Sequence, residues 1–158
     1  MSRREKTEDK INMRHWRVIS LVLCIAVLPF APSWAGNAVG TWATEAGKSH
    51  VRGLLCGQKL CGRIIWLKEP LDDQGVPKTD VNNPEPAMQD RPIIGLPLLV
   101  NFTAGQEADV WSNGTIYNPE DGENYDCTLT LQDSNTLKVR GYVGLPLFGK
   151  TQIWTRVN

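Results

Sequence analysis

The chain has 158 residues, with 17 Lys and Arg against 17 Asp and Glu, for a formal charge of zero. That length suits one domain, and the neutral balance offers no basic footprint for nucleic acid. A 22% charged and 41% hydrophobic composition excludes a disordered chain and a multi-spanning membrane protein.

The first element is a leader. Arg3, Arg4, Lys6, Lys10, Arg14 and Arg17 precede an apolar run from Val18 to Pro29, broken only by Ser20, and then Pro32-Ser33-Trp34-Ala35. This is the three-part pattern of a secretory signal, with cleavage expected after Ala35. The run is shorter than the roughly 20 residues a membrane span requires. Met13 is an alternative start, and Cys24 lacks the small preceding residue of a lipidation site. Residues 36–158 are thus expected to form one periplasmic or secreted domain, not integral to the membrane. The leader carries six bases and three acids, and the remainder eleven and fourteen. The zero charge is therefore a cancellation of +3 and −3. The acidic remainder counts against nucleic acid or an anionic membrane surface as partner.

Beyond the leader stand Cys56, Cys61 and Cys127. Two apolar runs flank Gly57-Gln58-Lys59-Leu60, the size of a four-residue hairpin loop or a two-residue turn at Gln58-Lys59. Either register sets Cys56 opposite Cys61, within reach of a cross-strand disulfide. Closing so short a loop contributes about 2 kcal/mol in the chain-entropy model. A zinc site would have only Cys127 and His50 to complete it, so no metal is expected. Cys127 reads as a buried small hydrophobe.

Strand signals dominate the rest of the chain: Gly40–Thr44, His50–Leu55, Leu60–Leu67, Val110–Ser112, Thr115–Tyr117, Tyr125–Leu131, Leu137–Val143 and Phe148–Arg156. Alternation is clearest in Tyr125, Cys127, Leu129 and Leu131. Lys68 to Arg91 is a long irregular stretch rich in Pro and Gly, of the kind that is usually functional. The segment 92–102 reads as a short helix or an edge strand. Gly95-Leu96-Pro97-Leu98 recurs as Gly144-Leu145-Pro146-Leu147 without matching flanks, which suggests two similar chain bends. About eight short strands predict an all-β, single antiparallel up-and-down barrel, with a β-sandwich as the alternative.

Two features resemble the lipocalin and wider calycin barrels. Gly40-Thr41-Trp42 matches the G-x-W of their first strand, and Arg156 matches the late arginine that packs over that tryptophan. The resemblance implies a structural role for Trp42 and Arg156, with a cation over an indole contributing about 0.5–2 kcal/mol. A wider resemblance covers nearly all of residues 36–158. The blocks are Gly40–Thr44, Cys61–Pro70, Pro77–Pro84, Asp90–Gly95, Trp111–Gly122, Leu137–Tyr142 and Gly149–Arg156. They are similar to a bacterial exported family known as domain of unknown function 2147, departing at Val81, where that family often has a polar residue. It implies a compact exported β-domain and brings no substrate, cofactor or catalytic residue.

Candidate ligand contacts are therefore taken from residue chemistry. Lys78, Asp80, Asn82 and Asn83 gather charge and amide groups in the long loop, with self-bonded turns as the plainer reading. Arg91 either holds this loop through Asp80 or Asp90, or grips an anionic ligand. Trp66, Trp111, Tyr117 and Tyr142 are aromatic strand positions, some of which would point inward. Lys68, where the third strand runs out into the loop, completes the ligand set. Asn118 to Glu123 has oxygen ligands for calcium but reads better as a hairpin turn. His50 lacks a Ser or Cys partner and reads as a cross-strand residue rather than a general base.

These residues point to binding rather than catalysis, with no cofactor. The first expectation is a carrier of a small apolar or amphipathic ligand, envelope-derived, in a cavity lined by Trp66, Trp111 and Tyr117 and gated by the 68–91 loop. The alternative is a module that contacts an envelope protein or polymer through that loop or the exposed Leu-Pro-Leu bends. A hydrolase is the remote third reading and would require clustered carboxylates.

Overall fold

A computed structural model describes residues 38–157; the expected leader and its expected cleavage site after Ala35 lie outside the described residues. Eight strands run β1 (Gly40–Ala43), β2 (Ser49–Cys56), β3 (Lys59–Leu67), β4 (Pro97–Ala104), β5 (Val110–Asn118), β6 (Glu123–Asp133), β7 (Thr136–Tyr142) and β8 (Lys150–Val157). Each pairs antiparallel with the next, and β8 returns to β1 through Trp42–Arg156. The barrel is closed, so no edge is left to template aggregation. The sandwich alternative is excluded.

The count of eight arises differently from the sequence expectation. Residues 97–104 are neither helix nor edge; β4 is paired on both sides, with β3 and β5. Its exposed Pro97 stands first in the strand, where the missing N–H costs no ladder bond. Val110–Ser112 and Thr115–Tyr117 are one strand, interrupted by a bulge at Asn113, whose φ is +57°. The bulge adds a residue and keeps Trp111 and Gly114 on the same inner face. β7 stops at Tyr142, and Phe148 belongs to a short 3-10 turn, Pro146–Phe148, ahead of β8.

Period-two alternation sends one set of side chains inward. Trp42, Trp111, Trp154, Phe102, Leu60, Leu99, Leu129 and Leu137 are fully buried there. Gly114 marks a tight point of this interior, because a Cβ at that position would run into the Phe102 ring. The interior is therefore a packed core, as befits a barrel of this strand number.

At one end the chain closes over itself. The Arg156 guanidinium lies 4.1 Å from the Trp42 ring centroid. It also donates to the carbonyls of Val39 (3.0 Å) and Ser134 (2.6 Å). The Trp42 indole donates to the Ala38 carbonyl at 2.9 Å. Trp42 and Arg156 thus cap one barrel end. The β2–β3 turn lies at this same end and carries the Cys56–Cys61 disulfide. Its register differs from the expectation. The turn is Gly57-Gln58, Cys56 pairs with Lys59, and Cys61 pairs with Leu54. The cysteines are diagonal neighbours with Cα atoms 6.0 Å apart. Gly57 takes φ +68°, which suits the first position of a tight II′-type turn and moves it one residue earlier.

Candidate functional site

The opposite end is organised by the long segment between β3 and β4. It is an ordered strap rather than a loose gate. Asp72 Oδ1 accepts the amides of Gln74 and Val76, and Leu71 bridges to Pro77. Thr79 bridges to Pro92, and the Asp80 amide donates to the Arg91 carbonyl at 3.0 Å. Both limbs of the strap are therefore zipped together by the backbone groups that an irregular segment must satisfy somewhere.

The strap lies against the outside of the barrel wall. Ile116 pairs with Leu99 and Tyr125 on the inner face, so its neighbour Tyr117 points outward. Yet Tyr117 is only 4% exposed, because Asp80 and Asn83 of the strap reach it. The Tyr117 hydroxyl donates to Asp80 Oδ1 at 2.7 Å. Asn83 Nδ2 donates to Asp80 Oδ2 at 2.8 Å and to the Tyr117 oxygen at 3.0 Å. Arg91 brings Nε (2.9 Å) and Nη2 (2.8 Å) to the same Oδ2, with its guanidinium carbon 5.5 Å from the Tyr117 ring centroid. Asp80 is fully buried, and the bonds its carboxylate accepts are charge-assisted. Burial pushes the Tyr117 hydroxyl up, and the bond to the Asp80 carboxylate adds to the effect.

The cluster continues into the β5–β6 turn. Asn82 Nδ2 donates to the carbonyls of Pro119 and Glu120, both at 3.1 Å. Gly122 has φ +77°, and a Cβ there would strike the Asn82 carbonyl. Asn118 and Asp121 bond to each other and to the turn amides. That arrangement is a hairpin turn closed by its own side chains. Among the described residues, no three His, Cys, Asp or Glu side chains are grouped to hold a metal ion.

Beside the cluster opens a pocket of about 270 Å³, walled by Asn83, Pro84, Arg91 and Tyr117 on one side. Pro97, Val100, Gly122 and Asn124 complete it. A larger hollow of about 530 Å³ lies at the capped end near Arg156 and the β6–β7 turn. It is remote from the buried polar cluster, and its arginine serves the closure described above. The strap pocket is therefore the better candidate despite its smaller size.

Of the candidate ligand residues, Asp80, Asn83, Arg91 and Tyr117 come together, and Asn82 anchors their rim. The rest do not converge. Trp66 is exposed on the outer wall, stacked on His50 with centroids 4.3 Å apart. Trp111 is fully buried in the core. Trp66, Trp111 and Tyr117 therefore line no common cavity, because a bulge between His50 and Val51 turns Trp66 outward and the bulge at Asn113 sets Trp111 and Tyr117 on opposite faces. Lys68 is exposed, and Lys78 reaches Glu69 at 3.8 Å. The pocket walls Asn124, Pro97 and Val100 escaped the sequence reading; no local motif marks them. Trp111 Nε1 is buried without an acceptor among the described residues, an arrangement that costs about 1–3 kcal/mol.

An eight-stranded, up-and-down antiparallel barrel with one end sealed by a Trp–Arg pair is the architecture of a lipocalin-like protein. Residues 40–156 match the profile of a family described as uncharacterized protein conserved in bacteria, domain of unknown function 2147, and the chain belongs to that family. It is also similar to the solved structure of protein HP1028 from Helicobacter pylori, described as belonging to the lipocalin family. The TM-score is 0.65 and the identity 25%, over 76% of this chain and 82% of that one. No curated protein matches.

Proposed function

We propose that this protein is a non-catalytic, exported binding module that takes a small amphipathic ligand in the strap pocket. The observation that carries this reading is the Asp80-centred cluster, which fixes Arg91 and Asn83 at the wall of a pocket while the barrel interior is filled by its own side chains. Arg91 and Asn124 supply a cationic and amide side, and Pro97 and Val100 an apolar one. The pocket lies near the lower limit of ligand sites, about 300 Å³, so the ligand is a small acid with a short apolar part. Asp80 has its charge matched and its oxygens occupied, which suits positioning rather than proton transfer. The disulfide fits an oxidising compartment, in keeping with the secretory leader expected from the sequence.

Native mass spectrometry of protein purified from its own envelope tests this. A small acid should accompany the wild type and be absent from Val100→Trp, which fills the pocket from the outer wall. An adduct retained by that variant, or none on the wild type, would defeat the reading. The envelope-contact alternative is favoured by a different observation, the exposed apolar tip between β7 and β8.

A further inference from the structure

The outer wall formed by β2 and β3 carries an unbalanced pair of charges. Val51 pairs with Ile64 and Gly53 with Gly62, and all four are buried. Arg52 and Arg63, paired with each other between them, therefore point outward, and both are exposed. Like charges directly opposite in a ladder destabilise it. No carboxylate among the described residues forms an ion pair with either guanidinium.

The surrounding acids do not supply the missing charge. β1, β2 and β3 contain no Asp or Glu, and neither do the flanking strands β8 and β4. Glu45 lies in the β1–β2 connection, in a short 3-10 turn that packs toward β8. Glu69, just beyond β3, faces Lys78, and Glu120 is bonded to Lys48. In the strap, Asp80 is matched by Arg91 and Asp72 by its own loop amides. Asp73, Glu85 and Asp90 are exposed there and pair with neither arginine.

Beside the two arginines stands a fixed aromatic platform. Trp66, 42% exposed on the same wall, is stacked on His50 at an interplanar angle of 29°. His50 lies two residues from Arg52 along β2, a rise of about 7 Å. Because His50 already holds the indole, a ligand stacked there has little ordering to impose. One held indole and two unmatched guanidinia at this spacing suit a ligand with an apolar face and a carboxylate at its edge. The pyranose ring of an acidic sugar has that form. Its C–H face meets the negative face of the indole, and its carboxylate fits a guanidinium fork. An acidic peptide would seek a free sheet edge, but β2 and β3 are each paired on both sides.

We infer that this wall binds a short glycan of carboxylate-bearing sugars, with a sugar ring on Trp66 and its acids on Arg52 and Arg63. The site lies on the outer wall of the barrel and does not depend on the strap pocket.

Titration of the full protein with tetragalacturonate, followed by NMR at the Trp66 indole N–H, tests this. That signal should move to saturation while the signal of the buried Trp154 stays in place. The methyl ester keeps the rings and removes the charge; tetraglutamate keeps the charge and removes the rings. Each should bind at least about tenfold more weakly, as the loss of one charge-assisted or stacking contact requires. Trp66→Ala and the double variant Arg52→Gln, Arg63→Gln should weaken tetragalacturonate by a similar factor in calorimetry. The double variant should keep or raise its thermal midpoint, because it relieves a like-charge pair, so its lost affinity does not reflect unfolding. Val100→Trp should bind tetragalacturonate as the wild type does. An unmoved Trp66 signal, equal binding of tetraglutamate or of the ester, or full affinity in the arginine variant overturns the inference. Loss of binding in Val100→Trp also overturns it, by placing the acid in the strap pocket instead.

Discussion

Asp80 shows how much a single side chain can organise when burial leaves it no water. Its two oxygens accept from Tyr117, Asn83 and Arg91, so removing any donor exposes the desolvation cost of the others. Tyr117→Phe should lower stability by about 1–3 kcal/mol in denaturant unfolding. An unchanged midpoint would show that water already reaches Asp80. Cys127 behaves oppositely, as a polar group whose value lies in staying neutral. Burial pushes its thiol from 9.0 to about 12. The unfolded thiol therefore loses its proton first, and stability should fall between those pH values by up to about 1.4 kcal/mol per unit. Cys127→Ala should remove that part of the alkaline slope while leaving the contribution of the tyrosines and lysines; identical slopes in the two proteins would refute the linkage. Among the tryptophans, Trp42 donates to Ala38 while Trp111 donates to no described residue. Trp111→Phe should then cost less than Trp42→Phe by about 1–3 kcal/mol, measured by the same unfolding.

The strap is the element whose conformation depends most on its neighbours. Gly122→Ala would place a methyl against the Asn82 carbonyl at a backbone angle of +77°, which non-glycine residues adopt at a cost. Amide exchange at Asp80 and Asn83 should accelerate while β6 and β7 stay protected; uniform loss of protection would mean the strap and barrel unfold as one. This locking was only half legible in the sequence. Asp80, Asn83 and Arg91 could be singled out by chemistry, but Tyr117 was expected to line a cavity with Trp66 and Trp111. The bulges at Asn101 and Asn113, both with positive φ, reset which residues point inward. A period-two reading that misses a bulge reverses the faces beyond it. The disulfide was legible, although its register was off by one residue. Replacing both Cys56 and Cys61 by Ser should lower stability by about 2 kcal/mol, readable as a lower thermal midpoint.

For the whole molecule, the central fact is that the barrel interior is occupied by its own indoles and by Phe102. Phe102→Ala should cost about 3–5 kcal/mol and leave an apolar hollow facing Gly114. Benzene should then bind the variant and raise its midpoint, with no effect on the wild type; an equal response in both would reveal a natural cavity. Closure through β1 and β8 likewise ties the two sequence extremes of the domain into one cooperative unit.

The pairing of Trp42 with Arg156 came only with the resemblance to lipocalin barrels; residue types and spacing by themselves determined an all-β chain, about eight strands and a hairpin disulfide. These follow from local rules, namely alternation, turn chemistry and the reach of a short loop. Only the tertiary structure decided that β4 closes the barrel, that Tyr117 faces outward beneath a strap, and that the interior is full. It also decided that the second Leu-Pro-Leu bend is exposed while Leu96 and Leu98 of the first are buried. The same four residues meet different fates because one bend leads out of a strap packed on the barrel wall and the other spans a free hairpin end. Which side chains find cover depends on what the rest of the chain brings to them.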